Sequence, residues 1–158
     1  MSSKRLYLKF VEKNVVGKID LYWDNAPVTT QTIWNALATP ITIEAMHGAY
    51  SGPEIMMGLP DDRHTFDPRA IPNENQTVFP SAGELLWYYQ APNFFKGMPE
   101  EFWEIGLFYG EGGRTFGPTG WIACNYFGRI TEGLAGIAEC CRSIRREGLK
   151  TVEIGRLA

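Results

Sequence analysis

The chain is poor in cysteine, histidine and surplus charge, and each shortage excludes a class of protein. Its 158 residues hold three cysteines, Cys124, Cys140 and Cys141. The number is odd, two are adjacent and no C-x-x-C spacing occurs, which argues against both a disulfide framework and a zinc site. They read as reduced, packed thiols of a cytoplasmic protein. Only two histidines are present, and "DDRH" at 61–64 with Asp67 meets no ligand spacing, so neither metal nor cofactor is expected. Fifteen Lys and Arg against eighteen Asp and Glu leave a net charge of −3. The lack of a basic surplus to neutralise phosphates argues against nucleic acid as the main partner. No apolar run approaches a membrane span, and "MSSKRLYLKF" lacks the h-region of a secretory signal, so no membrane association is expected. "GEGGRTFGPTG" is followed by a strand pattern, which removes the helix N-terminus that a phosphate loop needs. No serine sits in a G-x-S-x-G setting.

What is present is alternation. "RLYLKFVE" (5–12) and "VVGKIDLYW" (15–23) each place their large apolar residues on one parity and predict a hairpin. In "DNAPVTTQTIWNALATP" a proline opens a helical stripe of Thr30, Ile33, Trp34 and Leu37, predicting a helix over about 27–38. Strand patterns return at 41–49, 53–58, 83–90, 104–110 and 121–130. A second helix opens near Thr131 and closes at Gly148, burying Leu134, Ile137, Ala138, Cys141 and Ile144, and "TVEIGRL" ends the chain as a strand. Arg142, Arg145 and Arg146 crowd the last turns of that helix, where its dipole favours positive charge. One mainly β domain over 1–158 follows, a closed antiparallel barrel with two helices over its ends. Two long connections stand apart. Residues 59–80 are long enough for a binding loop, and 91–103 carry Phe94, Phe95, Met98, Phe102 and Trp103 as a barrel cap or a homo-oligomer interface.

Parity also nominates a site. His47 follows Ile41, Ile43 and Ala45 onto the expected interior face. If the following hairpin loop has even length, Glu54 shares that face. A two-residue loop sets Met56 opposite His47 with Glu54 diagonal, and a six-residue loop sets Glu54 opposite, in either case about 5–8 Å away. A three-residue loop breaks the relation. Such a pair is a self-satisfied polar pair, a ligand-orienting pair or an acid–base pair, and all three readings stay open. Trp87 and Tyr89 share one face of "GELLWYY", and Trp121, Ala123 and Asn125 one face of a later strand. An inward amide among aromatics suits a small polar ligand. The candidate ligand-binding residues are therefore His47, Glu54, Met56, Trp87, Tyr89, Trp121 and Asn125, with no catalytic residue assigned.

The segment "VVGKIDLYWDNAPVTTQTIWNAL" resembles the opening of cyclophilins, and the order of elements agrees over nearly the whole chain. The phenylalanine-histidine-arginine and glutamine-glycine-glycine-aspartate runs of cyclophilin prolyl isomerases have no counterpart in "EAMHGAYSGPEIMMGLP". "MHGAYSG", "NENQT", "PSAGELLWYY", "EIGLFYG" and "ACNYFGRI" look similar to an uncharacterised bacterial and archaeal family of small proteins with a cyclophilin-like fold. That resemblance implies the barrel and a shared pocket, and no established activity. The expected function is binding of a small polar or carboxylate-bearing metabolite at the barrel mouth. The alternatives are an enzyme, either a vestigial prolyl isomerase or a His47–Glu54 acid–base catalyst, and a protein-interaction module.

Overall fold

The computed structural model describes residues 3–158. In chain order its strands and main helices are β1 (Arg5–Phe10), β2 (Val15–Leu21), α1 (Pro27–Ala36), β3 (Ile41–His47) and β4 (Glu54–Gly58). There follow β5 (Gln76–Thr77), β6 (Glu84–Gln90), β7 (Phe102–Phe108), β8 (Phe116–Gly117) and β9 (Gly120–Trp121). β10 (Cys124–Glu132), α2 (Leu134–Glu147) and β11 (Lys150–Arg156) complete the chain. The sheet runs β2-β1-β11-β3-β4-β7-β6-β10 and closes through β10 and β2, all antiparallel, with β5 added beside β10. The closed barrel removes free sheet edges.

The interior is built by the parities read from the sequence. Leu6, Leu8, Ile19, Ile43, Ala45, Ile55, Met57, Leu85, Leu107 and Ile154 are all buried in one cluster. Each large side chain so buried contributes roughly 1.5–3 kcal/mol. The β1–β2 turn spends an asparagine, Asn14, at φ 52°, a residue type that tolerates left-handed backbone. The helices cover opposite ends. α2 buries Ile137, Ala138, Cys141 and Ile144 over the end where β3 finishes. At the other end Ile33 of α1 is buried, and Asn125 of β10 bonds to Thr29.

Residues 121–130 do not form one strand. Trp121 pairs with Phe116 in the separate β8–β9 hairpin, and β10 begins at Cys124. A second, smaller core lies outside the barrel, where Leu86, Phe108, Cys124 and Tyr126 pack with Ile122 and Tyr88. All three cysteines are buried and free. No described helix is long and apolar enough to cross a membrane.

Candidate functional site

The register of β3 on β4 decides the geometry around His47. Ala45 faces Met57, Met46 faces Met56 and His47 faces Ile55. The connection between the paired His47 and Ile55 therefore spans Gly48 to Glu54, an odd number of residues. Each strand alternates faces, so His47 and Ile55 point inward while Glu54 and Met56 point outward. The expected His47–Glu54 pair is not formed, and Met56 lies beside Met46 on the outer face.

His47 instead joins the rim beneath α2. Its Nδ1 lies 2.8 Å from the Gly48 carbonyl, which can only accept, so Nδ1 carries the proton and donates. The Nε2 lone pair then accepts from the Tyr109 hydroxyl at 2.7 Å and from Arg145 Nε at 3.2 Å. This network assigns a neutral imidazole. Burial holds the His47 pKa below the usual histidine value; the Gly48 hydrogen bond acts against that, and the Arg145 charge adds to it. The ion pairs among the described residues involve Arg5, Lys18 and Lys150, so Arg142, Arg145 and Arg146 have no carboxylate within 4.0 Å. The charges of Arg142 and Arg145 both act on Tyr109. The rim is thus a set of donors and unpaired guanidinium groups, able to receive an anion.

On the outer face Glu54 finds a different partner. Glu104 of β7 and Glu54 meet over Gly106: a Cβ there would lie 2.9 Å from Glu104 Oε1 and 3.0 Å from Glu54 Oε1. Glycine leaves the room that both carboxyl groups border. Glu54 is 7% and Glu104 4% exposed, and no cation pairs with either among the described residues. Burial and then the Glu54 charge push Glu104 well above the usual carboxylate range. Burial raises Glu54 as well, and the neighbouring Ser51 and Glu104 side chains act against it. Two buried carboxyl groups oppose each other's ionisation, so the pair favours a retained proton.

The remaining candidates are spread over the molecule. Trp87 is buried in the barrel, 5.4 Å from the Phe66 ring and 6.0 Å from that of Trp103. Tyr89 lies below it, donating to Glu101 at 2.7 Å. Asn125 is buried with both ends of its amide engaged. Its oxygen accepts from Gln76 Nε2 at 2.8 Å and Glu74 N at 3.3 Å, and its nitrogen donates to Thr29 Oγ1 at 2.9 Å and Pro72 O at 2.8 Å. It pins the 59–80 loop to the barrel and has no group left for a ligand. Glu74 of that loop caps α1, accepting from Thr29 N at 2.6 Å. Trp121 is 55% exposed, far from an inward face, its ring tilted against Phe79 and edge-on to Phe116. The seven candidates therefore do not line one pocket; only Trp87 and Asn125 are paired neighbours. His64 stacks on Trp103 with centroids 4.0 Å apart and bonds to Leu59 O.

Three residues that matter were not nominated from sequence: Tyr109, Arg145 as a partner of His47, and Glu104. The signal for Glu104 was present in "EIG", a carboxylate two residues before a glycine on the same strand face. Its partner lies on another strand, which periodicity does not reveal.

A family model described as "Protein of unknown function (DUF3830)" matches residues 8–155. No curated protein matches. Among solved structures, the chain is similar to McbB, determined in complex with tryptophan, with TM-score 0.66 and 14% identity, covering 95% of this chain and 44% of that one. It is also similar to the Mimivirus cyclophilin, with TM-score 0.54 and 12% identity, covering 96% of this chain and 86% of that one. The chain thus spans less than half the length of McbB. At these identities the likeness establishes the cyclophilin-like barrel and nothing finer.

Proposed function

The chain belongs to the DUF3830 family, and from that footing we propose that it binds a small carboxylate-bearing metabolite at the barrel mouth beneath α2. The observation that carries this reading is the convergence of His47, Tyr109 and Arg145 with no carboxylate partner for the guanidinium. Arg145 offers a planar fork that matches a carboxylate in two hydrogen bonds. The Tyr109 hydroxyl can turn from His47 to the ligand, because a hydroxyl proton rotates to suit its acceptor. The same barrel in McbB accompanies tryptophan, a ligand with a carboxylate, which supports the chemical class without placing its site here. Asn125 has no role in this binding, since its amide is spent on the loop.

Thermal-shift measurements against a panel of amino and keto acids test the proposal, because native-state binding raises the midpoint. An acid that stabilises the wild type and leaves both Arg145→Ala and His47→Ala unmoved supports it. Equal stabilisation of all three proteins refutes the location.

A second reading, self-association of a cytoplasmic protein through the 91–103 segment, draws on Phe94 and Met98, exposed by 55% and 45%. A monomer by light scattering at high concentration would remove it.

A further inference from the structure

The end of the barrel opposite His47 carries a second cluster that the proposed function does not use. Trp23 follows β2 and Trp34 lies on α1; their rings meet edge to face, 6.0 Å apart at 66°. In the notch between them sits the ammonium of Lys4, 5.3 Å from one ring centroid and 5.7 Å from the other. Both distances lie within the range where an indole quadrupole attracts a cation. Lys4 takes part in none of the ion pairs of the described residues, so the indoles are its evident anchors. Beside the notch opens a cleft of about 440 Å³ whose walls include Lys4, Arg5, Asp20, Trp23 and Gln31. That volume suits a small metabolite.

We propose that the notch between Trp23 and Trp34 is a binding site for a small organic ammonium ion, occupied in this structure by the protein's own Lys4. The charges on the walls agree with a cation. Arg5 is neutralised by Asp20 at 2.6 Å and Glu132 at 2.9 Å. Glu132 also pairs with Lys18 at 2.9 Å, so these two cations and two carboxylates balance and leave no positive surplus to repel a cation. An anion would meet the negative faces of two indoles; exchange of Lys4 for another ammonium leaves the local charge unchanged. The other cation at Trp34, Arg156, is tied to the Trp34 carbonyl by bonds of 2.9 and 2.6 Å and does not move in the exchange. A quaternary ammonium is the favoured occupant, because it has no N–H groups to strip of water whereas a lysine ammonium is strongly hydrated. Lys4 acts as a tethered competitor, present at an effective concentration in the millimolar range, and so weakens external ligands until it is displaced.

The test is calorimetric titration of choline into the wild-type protein and into Lys4→Met, with the neutral carbon isostere dimethylbutanol as control. Removal of the tethered competitor should tighten choline binding at least about tenfold, while the neutral isostere binds neither protein measurably. Trp23→Leu in the Lys4→Met background should abolish the gain. Choline binding that is absent, equal or weaker in Lys4→Met overturns the proposal, as does equal binding of the neutral alcohol. Because the site lies at the end of the barrel away from His47, its failure leaves the carboxylate reading untouched, and the reverse holds too.

Discussion

Replacing Glu104 by glutamine should make the protein less sensitive to pH and more stable near neutrality. In the folded chain Glu104 is buried against Glu54 over Gly106, and both carboxyl pKa values are raised, chiefly by burial. In the unfolded chain each carboxyl titrates near its ordinary 4.5. Above that pH the folded state holds a proton that the unfolded state has released. Stability is therefore full below about pH 4.5 and falls as pH rises through the folded pKa of the pair. One retained proton gives a slope of about 1.4 kcal/mol per pH unit, so pH 5 to 7 should cost the wild type up to roughly 3 kcal/mol. Glutamine has nearly the same shape, cannot ionise, and its amide can donate to Glu54. Glu104→Gln should match the wild type within about 1 kcal/mol at pH 5 and exceed it at pH 7 by up to about 3 kcal/mol. Urea unfolding followed by tryptophan emission at pH 5, 6, 7 and 8 reads both curves. Parallel curves, or a variant less stable at every pH, would refute the retained proton.

Asn125→Ala strips partners from Gln76, Glu74, Thr29 and Pro72, and should cost about 2–4 kcal/mol and expose the 59–80 loop to proteolysis. A loss under about 1 kcal/mol with an unchanged cleavage pattern would contradict its role as a pin. Gly106→Ala drives a methyl group to 2.9 Å from Leu86 Cγ and against both carboxyl groups, so equilibrium unfolding should show a loss of about 1–3 kcal/mol. For His47, with its pKa lowered, the folded state resists protonation, so its contribution is intact above about pH 6.5 and declines as pH falls below it. An NMR titration of the His47 ring should give a midpoint below that of a free histidine, and Arg145→Gln should raise it by removing a nearby positive charge; a midpoint above the free value would contradict the neutral assignment.

The fold was legible because alternation is a local property. Leu6 and Leu8, Ile19 and Leu21, and Ile41 to Ala45 declare their buried face within one strand, and closure followed from the number of such strands. The site was less legible because it depends on pairings between strands. The parity of His47 was readable, and its partner was not: the Gly48–Glu54 turn has odd length, set by bonds such as Gly48 N to Glu54 O that no residue pattern announces. Asn125 was rightly singled out as a buried amide that must find partners, but the partners came from residues 72–76, about fifty positions earlier, and from Thr29, 96 positions earlier. Trp121 shared parity with Asn125 only on the assumption of one continuous strand, and the hairpin at 116–121 breaks that continuity. Arg145 was read as a response to the helix dipole; its contact with His47 required the position of α2 over the barrel.

The most direct test of the central claim is chemical-shift mapping of isotope-labelled protein titrated with a mixture of small carboxylic acids. Saturable shifts confined to His47, Tyr109 and the Arg145 Nε–H, with the indole signals of Trp23 and Trp34 unmoved, are the predicted result. Shifts that avoid the His47 rim, or none at concentrations where free carboxylates bind an exposed arginine, would contradict it.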